Sequence, residues 1–402
     1  MRIFYSIPDI YPAFRVDISE LFVKSLQDLG IQTTWLMENN KTAYVNQHVD
    51  YLGQPCLLPA KMPVKNTWSK LINKCIYWAV DLYEITWAAN KNHDFLQVRD
   101  KYIVSIAGIL VAKIFGKKFT YWCSYPFPEH YLELAKLTTG LKQQYYYWHG
   151  TMAKLTLYKV IMPLSDFVFV QTDYMKQDIA RQGISEKKML AVPMGVPKRL
   201  LDWAKSHPAD IVAGRIVYTG IMTPERHLDM IIDAFALTKA QCANATLLMV
   251  GDGVHPSERA ALEAQVTRLG LSSSVQFTGF VPIEQAWAYA ASAAVCLSPV
   301  HPSPVLDCAS PTKLYEYMAL ARPVVCNYHP EQTAVINASG AGLCVPWQAQ
   351  AFSDAIVSLL NNPQQTELNA QNGPAWVAAN RAYPIIAQTV FKQYQQLLSP
   401  IT

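Results

Sequence analysis

The chain has no C-x-x-C pair, no D-x-D triplet, no internal repeat and no low-complexity tract, and each absence closes off a class of protein. Its eight cysteines are scattered at positions 56, 75, 123, 242, 296, 308, 326 and 344. Several fall inside apolar, strand-like runs, which reads as packed, reduced thiols of a cytosolic protein rather than a disulfide framework or a redox pair. Without D-x-D or a His/Cys cluster of ligand spacing, no metal site is expected. No apolar run is long enough to span a bilayer: the best, Tyr102 to Phe115, is broken by Lys113 and followed by Lys117-Lys118. No secretory leader is expected, because Met1-Arg2-Ile3-Phe4-Tyr5-Ser6-Ile7 reads directly as a first β-strand. Charge is sparse too, at 16% against 51% hydrophobic residues, a balance that excludes a disordered chain. At 402 residues the chain exceeds one ordinary core, so two domains are expected.

The charge that is present is unevenly placed. Residues 1–200 hold 24 Lys/Arg against 16 Asp/Glu, and residues 201–402 hold 10 against 14. The basic half is also rich in aromatics, with Tyr77, Trp78, Tyr83 and Trp87 and then Tyr145-Tyr146-Tyr147-Trp148. Cations interleaved with such residues suit an anionic membrane surface or a polyanionic acceptor. The Tyr145–Trp148 cluster reads equally as a packed helix face. Nucleic acid is not expected as a partner, since no nucleic-acid motif appears and the acidic half would repel phosphate backbones.

Short buried strands alternate with amphipathic helices throughout, the pattern of doubly wound parallel α/β sheets. In the first half the strands fall at Arg2–Ile7, Gln32–Leu36, Phe95–Val98, Lys118–Trp122 and Phe167–Gln171, with helices at Ile18–Leu29 and Tyr102–Phe115. A loop around Pro193-Met194-Gly195-Val196-Pro197 divides the halves. Strands at Arg215–Thr219, Thr246–Val250, Val275–Thr278 and Val295–Ser298 follow, with a Gly251-Asp252-Gly253 turn after the second. The expected domains are 1–197, 198–381, and a terminal helix in 382–402 that crosses back to the first. Ligands of such sheets bind beyond the carboxyl ends of the strands, so the cleft between two such domains is the expected active site.

The segment Cys308 to Cys326, C-A-S-P-T-K-L-Y-E-Y-M-A-L-A-R-P-V-V-C, carries the most chemistry. A turn through Ala309, Ser310 and Pro311 opens a short helix bearing Thr312, Lys313 and, three residues on, Glu316. A helix start with a hydroxyl and a cation suits a phosphate, and a carboxylate one turn later suits sugar hydroxyls. Together they suit a nucleotide-sugar. Alone, the segment is also compatible with a capped surface helix bearing an exposed Lys–Glu pair.

The order of V-Y-T-G-I-M-T-P-E-R-H-L-D-M-I-I-D-A-F-A, L-L-M-V-G-D-G, V-Q-F-T-G-F-V, S-P-T-K-L-Y-E-Y-M-A-L-A-R-P-V-V and G-A-G-L-C-V-P-W resembles the donor half of retaining glycosyltransferases of family 4, in the bacterial surface-polysaccharide variant. The first half agrees more loosely, through D-F-V-F-V-Q-T-D-Y-M-K-Q-D-I and V-P-M-G-V-P. The resemblance implies the GT-B architecture, two Rossmann-like domains facing across a cleft. It places Glu316 at the second glutamate of E-x7-E, on the nucleotide ribose, and Arg226 at the cation that neutralises the donor diphosphate. Gly251 and Gly253 match the glycine turn, and Phe280-Val281 the loop that meets the base. Asp307, Ser310, Pro311, Thr312 and Leu314 complete the implied donor set, with Arg226, Lys313 and Glu316 as the catalytic residues. The chain departs from the family at Ile221 (often Arg), at Cys308 (the first Glu of E-x7-E, for which Asp307 is the neighbouring substitute) and at Ser124 (often His). The family's N-terminal glycine loop is replaced by Pro12-Ala13-Phe14-Arg15-Val16-Asp17.

The implied activity is sugar transfer from a nucleotide-sugar to a glycan or polyprenyl-linked acceptor in cell-surface glycan synthesis, with retention and without a metal or other cofactor. Asp17, Ser124, Glu129 and His130 are the candidates facing the acceptor, each compatible also with a cap, turn or surface role. His329 is either a donor contact or a packed loop histidine. The protein is expected in the cytoplasm, peripheral on the inner face of the plasma membrane. A sugar-nucleotide epimerase and a catalytically inert nucleotide-sugar-binding scaffold are the alternatives.

Overall fold

A computed structural model describes residues 1–208 and 210–399. It divides into two compact units, one running to Pro193 and resuming at Tyr383, the other Met194–Ala382. Both are α/β units built on parallel sheets.

In the first unit, the described residues form an eight-stranded sheet in the order β3-β4-β2-β1-β5-β6-β7-β8. The strands are β1 Arg2–Ile10, β2 Gln32–Glu38, β3 Gln47–Tyr51, β4 Gln54–Leu58, β5 Phe95–Arg99, β6 Lys118–Cys123, β7 Phe167–Val170 and β8 Met189–Ala191. All neighbours are parallel except the hairpin β3–β4. That hairpin and β8 are additions to the strands read from the sequence. β3, Gln-His-Val-Asp-Tyr, is largely solvent-facing and so has no apolar run, while β8 is only three residues long. One core is a stack of aromatics from β1, β2, β6 and β7, with Tyr5 stacked on Trp35 and Trp122 on Phe169. Helix Tyr383–Leu398 closes this core, its Tyr394 hydroxyl donating to Gln97 on β5 at 2.5 Å.

The second unit holds six parallel strands in the order β11-β10-β9-β12-β13-β14. They are β9 Arg215–Thr219, β10 Thr246–Val250, β11 Val275–Phe277, β12 Val295–Ser298, β13 Val324–Asn327 and β14 Gly342–Val345. Both faces are covered by helices, which is why these strands are apolar at successive positions rather than alternating. On β9, Val217 faces one core while Ile216 and Tyr218 face the other. The strand order reverses direction at β9 and β12, the switch point where such sheets open a crevice for ligands. No helix among the described residues is long and apolar enough to cross a membrane.

Candidate functional site

The switch-point crevice is built around helix Thr312–Ala319. Two buried networks fix it. The Tyr317 hydroxyl bonds the Thr219 backbone N–H at 2.8 Å and the Thr219 hydroxyl at 2.9 Å, tying the helix to the end of β9. The Tyr315 hydroxyl donates to Glu331 at 2.6 Å, and Arg381 donates to the same carboxylate oxygen at 3.1 Å. With Leu314, Tyr315, Tyr317 and Met318 turned inward, the helix presents Lys313 and Glu316 outward from the first turn, at the i, i+3 spacing of one face.

Both side chains enter a cavity of about 340 Å³. Its polar lining is Thr312, Lys313, Glu316 and Arg226, the last from the turn Pro224–Arg226 after β9. Its apolar lining includes Phe280, Val281, Ile283 and Trp287. Gly220 and Gly251, which follow β9 and β10, line it too. Burial and the neighbouring Arg226 push the Lys313 ammonium down to about 7, against the pull of Glu316. Burial raises the Glu316 carboxyl, which Lys313 partly offsets. The Lys313 ammonium lies 5.3 Å from the Tyr218 ring centroid. Among the described residues, neither Lys313 nor Arg226 has a carboxylate within ion-pair distance.

Five residues expected at the site lie outside this cavity. Leu314 is wholly buried in the core. The Ser310 hydroxyl is taken up by the Met194 N–H at 3.0 Å and Tyr315 at 3.1 Å. Pro311 precedes the helix as its cap. Gly253 belongs to the turn into helix Pro256–Arg268, its N–H donating to Asp252 at 2.8 Å. Asp307 sits in the turn Leu306–Cys308, where burial raises its carboxyl against the pull of His329. His329 itself is the packed loop histidine. Its Nε2 bonds the Leu306 carbonyl at 2.9 Å and its Nδ1 accepts from the Gln332 N–H at 3.4 Å, so both ring nitrogens are engaged.

Every residue of the cavity lies between Tyr218 and Leu320, and residues 213–362 match the family model Glycosyl transferases group 1. The second unit carries a glycosyl transferases group 1 domain. A GDP-mannose-dependent alpha-(1-6)-phosphatidylinositol dimannoside mannosyltransferase of Mycobacterium tuberculosis (strain ATCC 25177 / H37Ra) is 28% identical over 207 residues, half of this chain. The match likewise spans about half the length of that curated relative. Among solved structures, Anabaena HepE in complex with UDP superposes over 98% of this chain and 100% of its own, at 16% identity and a TM-score of 0.69. Sucrose-phosphate synthase from Thermosynechococcus elongatus does so over 99% of both, at 18% identity and a TM-score of 0.72. The fold is therefore GT-B, with two Rossmann-like units.

Outside the group 1 domain, the four acceptor-side candidates are all engaged by other protein groups. Asp17 is buried against Arg99 at 2.8 Å and Arg15 at 3.3 Å. Burial pushes its carboxyl up, but the two guanidiniums outweigh that and hold it below the usual range. Ser124 is bound to Asp100, its N–H donating at 3.2 Å and its hydroxyl at 2.5 Å. Glu129 accepts from the Tyr158 hydroxyl at 3.1 Å and faces Lys154 at 3.5 Å. His130 Nδ1 lies 3.3 Å from the Tyr125 hydroxyl. None of the four lines the first unit's cavity of about 550 Å³, whose carboxylates are Glu38, Asp81 and Asp100. The sequence reading passed over Asp100, which follows β5 directly. Its signal was position: a carboxylate at a strand's carboxyl end, where α/β sheets bind ligands.

Proposed function

We propose that the chain is a glycosyltransferase that moves a sugar from a nucleoside diphosphate donor, held by the group 1 domain, to an acceptor held by the first unit. The observation that carries this reading is one cavity lined both by two cations with no carboxylate at ion-pair distance among the described residues and by a set of apolar side chains. Arg226 and Lys313 match a diphosphate in charge, and Arg226 can grip two oxygens at once. The slot of Phe280, Val281, Ile283 and Trp287 suits a flat base. Glu316 accepts from ribose hydroxyls. As the glycosidic bond breaks, negative charge develops on the departing diphosphate, and two preorganised cations stabilise it there.

In this reading the cations do the work that a metal does elsewhere, so transfer proceeds in chelator. The anomeric configuration is retained, the departing phosphate oxygen taking the acceptor proton on the face it leaves. The mannosyltransferase relative is GDP-mannose-dependent and acts on a phosphatidylinositol dimannoside, and HepE was solved with UDP. These favour a GDP- or UDP-sugar donor and a lipid-linked acceptor in surface glycan synthesis, at the inner face of the membrane.

The test is a thermal-shift series with GDP, UDP and their sugars. A ligand that binds only the folded state adds about 2.7 kcal/mol at a hundredfold excess over Kd. A shift with one nucleotide family, followed by transfer to a lipid-linked glycan in EDTA, supports the reading. Turnover of the nucleotide-sugar with no acceptor points to an epimerase instead, and binding with neither transfer nor hydrolysis to a scaffold.

A further inference from the structure

The cavity of the first unit opens at the carboxyl ends of its strands, where Pro8 on β1, Glu38 on β2 and Asp100 after β5 meet. Two of its carboxylates are held in place. Asp81 is buried, bonded by the Ser6 hydroxyl and by the Lys101 ammonium at 3.1 Å. Asp100 has a left-handed backbone, φ 51°, uncommon for a residue with a side chain, and Ser124 fixes its carboxylate from two directions. The walls are aromatic, among them Tyr77, Trp78, Tyr102 and Tyr131. The hydroxyls of Tyr77 and Tyr102 are buried with no hydrogen-bond partner among the described residues. A buried polar group left unpaired is costly and asks for a ligand that pairs it. Fixed carboxylates, waiting phenols and flat aromatic faces together recognise a sugar ring.

A second, smaller cavity of about 180 Å³ adjoins this one. It shares Trp78, Ile103 and Val104 with the first and is completed by Ala79, Leu82 and Ala107. It lies between helices Thr67–Asn90 and Tyr102–Phe115, which pack together. Every side chain lining it is apolar or, in Trp78, aromatic. A sugar gains nothing there, since its hydroxyls would lose water without compensation. At the rim, Leu82 is 49% and Ile103 53% exposed, so the annex leads to an apolar surface rather than closing.

We propose that the two cavities form one bipartite site for an amphiphilic acceptor, a glycolipid whose sugar occupies the larger chamber, beside its carboxylates, and whose hydrocarbon chain runs through the annex past Leu82 and Ile103. This rests on the glycosyltransferase reading above and assigns the sugar and the hydrocarbon chain of its lipid-linked acceptor to separate subsites. The shared wall of the chambers, Trp78, Ile103 and Val104, argues for it: a soluble polysaccharide would use the first and leave the second with no role.

Alkyl glycosides below their micelle concentration test the site in the full chain. Methyl, hexyl and octyl members of the glucose, mannose and galactose series serve as probes, with dissociation constants measured by calorimetry. For at least one sugar, affinity should rise with chain length, by up to about fourfold for each methylene that becomes buried. Ala79→Phe and Ala107→Phe each fill the annex and should bring the octyl member back to the affinity of the methyl one. Ala79 is exposed, so its variant tests the idea even if Ala107→Phe fails to fold. Asp100→Asn should weaken short and long members by the same factor. Affinity independent of chain length in all three series overturns the proposal, as does chain-length dependence that survives both Phe variants. UDP and GDP binding, measured separately, reports on the group 1 domain. Nucleotide binding without chain-length dependence would keep the transferase reading and sink the lipid site. Chain-length dependence without nucleotide binding would do the reverse.

Discussion

A β-carbon on Gly251 would lie 2.1 Å from the carbonyl oxygen of Gly220. Both residues have positive φ, 127° and 143°, a region that side chains rarely adopt. The ends of β9 and β10 therefore touch through bare backbone, and both glycines line the second unit's cavity. Gly251→Ala should add about 1–3 kcal/mol of backbone strain and push Gly220 toward Lys313, whose Cε is 3.6 Å from the place a Gly220 β-carbon would take. We expect a lower melting temperature and loss of nucleotide binding, read by a thermal scan with and without ligand. Wild-type values for both would refute the close-approach argument.

The two cations make the next prediction. Arg226→Ala and Lys313→Ala each remove a charge from a partly dehydrated site. Each should cost roughly 2–4 kcal/mol at the transition state, or about 10²–10³ in rate. Glu316→Gln should act differently, weakening nucleotide binding through the ribose. Steady-state rates with a lipid-linked acceptor and a nucleotide Kd separate the two effects. Undiminished turnover in both cation variants would remove them from the donor site.

Lys313 also makes donor affinity depend on pH. Its ammonium is held at about 7 by burial and Arg226, so the charged fraction falls as pH rises from 6 to 8. A nucleotide-sugar diphosphate carries the same charge across that window and attracts only the cation. Affinity should therefore fall with rising pH, and binding near neutrality should take up a proton. Lys313→Arg stays charged throughout and should flatten the profile. The sign for stability is the opposite one. Because the folded value lies below that of the unfolded chain, the unfolded state binds more protons between about 7 and 10.4. In the free protein this group therefore favours folding increasingly as pH rises through that range. A donor Kd that does not change between pH 6 and 8 would contradict the placement of Lys313.

How much of this was legible in the chain depends on how local each relationship is. Lys313 and Glu316 share a helix turn, so their spacing alone put them on one face. Arg226 stood out only through the family resemblance, because the turn that carries it into the cavity has no spacing signature. Trp287 and Tyr218 reach the same cavity from a helix and a strand that the topology brings together, and no local sequence pattern marks either for it. In the first unit the residue types were informative but their partners were not. Asp17 is neutralised by Arg99, 82 positions away, and Ser124 is held by Asp100, 24 positions back. A list of polar candidates cannot tell an available carboxylate from one already paired. The same holds for Cys326 and Cys344, whose sulfurs face each other at 3.2 Å across β13 and β14 without any local Cys motif.

The last prediction concerns the basic half of the chain. Helix Thr67–Asn90 exposes Trp68 at 73%, and helix Gly140–Thr156 exposes Tyr145 at 61% and Trp148 at 63%. The Tyr145–Trp148 cluster is thus surface rather than core. Exposed Lys65 and Lys70 flank Trp68, and the Lys142 ammonium sits 5.8 Å from the Tyr146 ring centroid. Aromatics of this size beside lysines suit the headgroup region of an anionic bilayer. We expect the protein to float with vesicles containing phosphatidylserine and to bind phosphatidylcholine vesicles poorly. Each lysine near the surface contributes about 1 kcal/mol within a Debye length of about 8–10 Å. The pair Lys65→Glu and Lys70→Glu should therefore lower partitioning by at least about thirtyfold. Salt should weaken wild-type binding in the same way and leave a remainder carried by the aromatics, which Trp68→Ala should reduce. Nucleotide binding by the group 1 domain gives the control for folding. If the wild type stays free of phosphatidylserine vesicles at low salt, the peripheral-membrane reading fails, and a soluble anionic glycan becomes the partner to test on the basic surface.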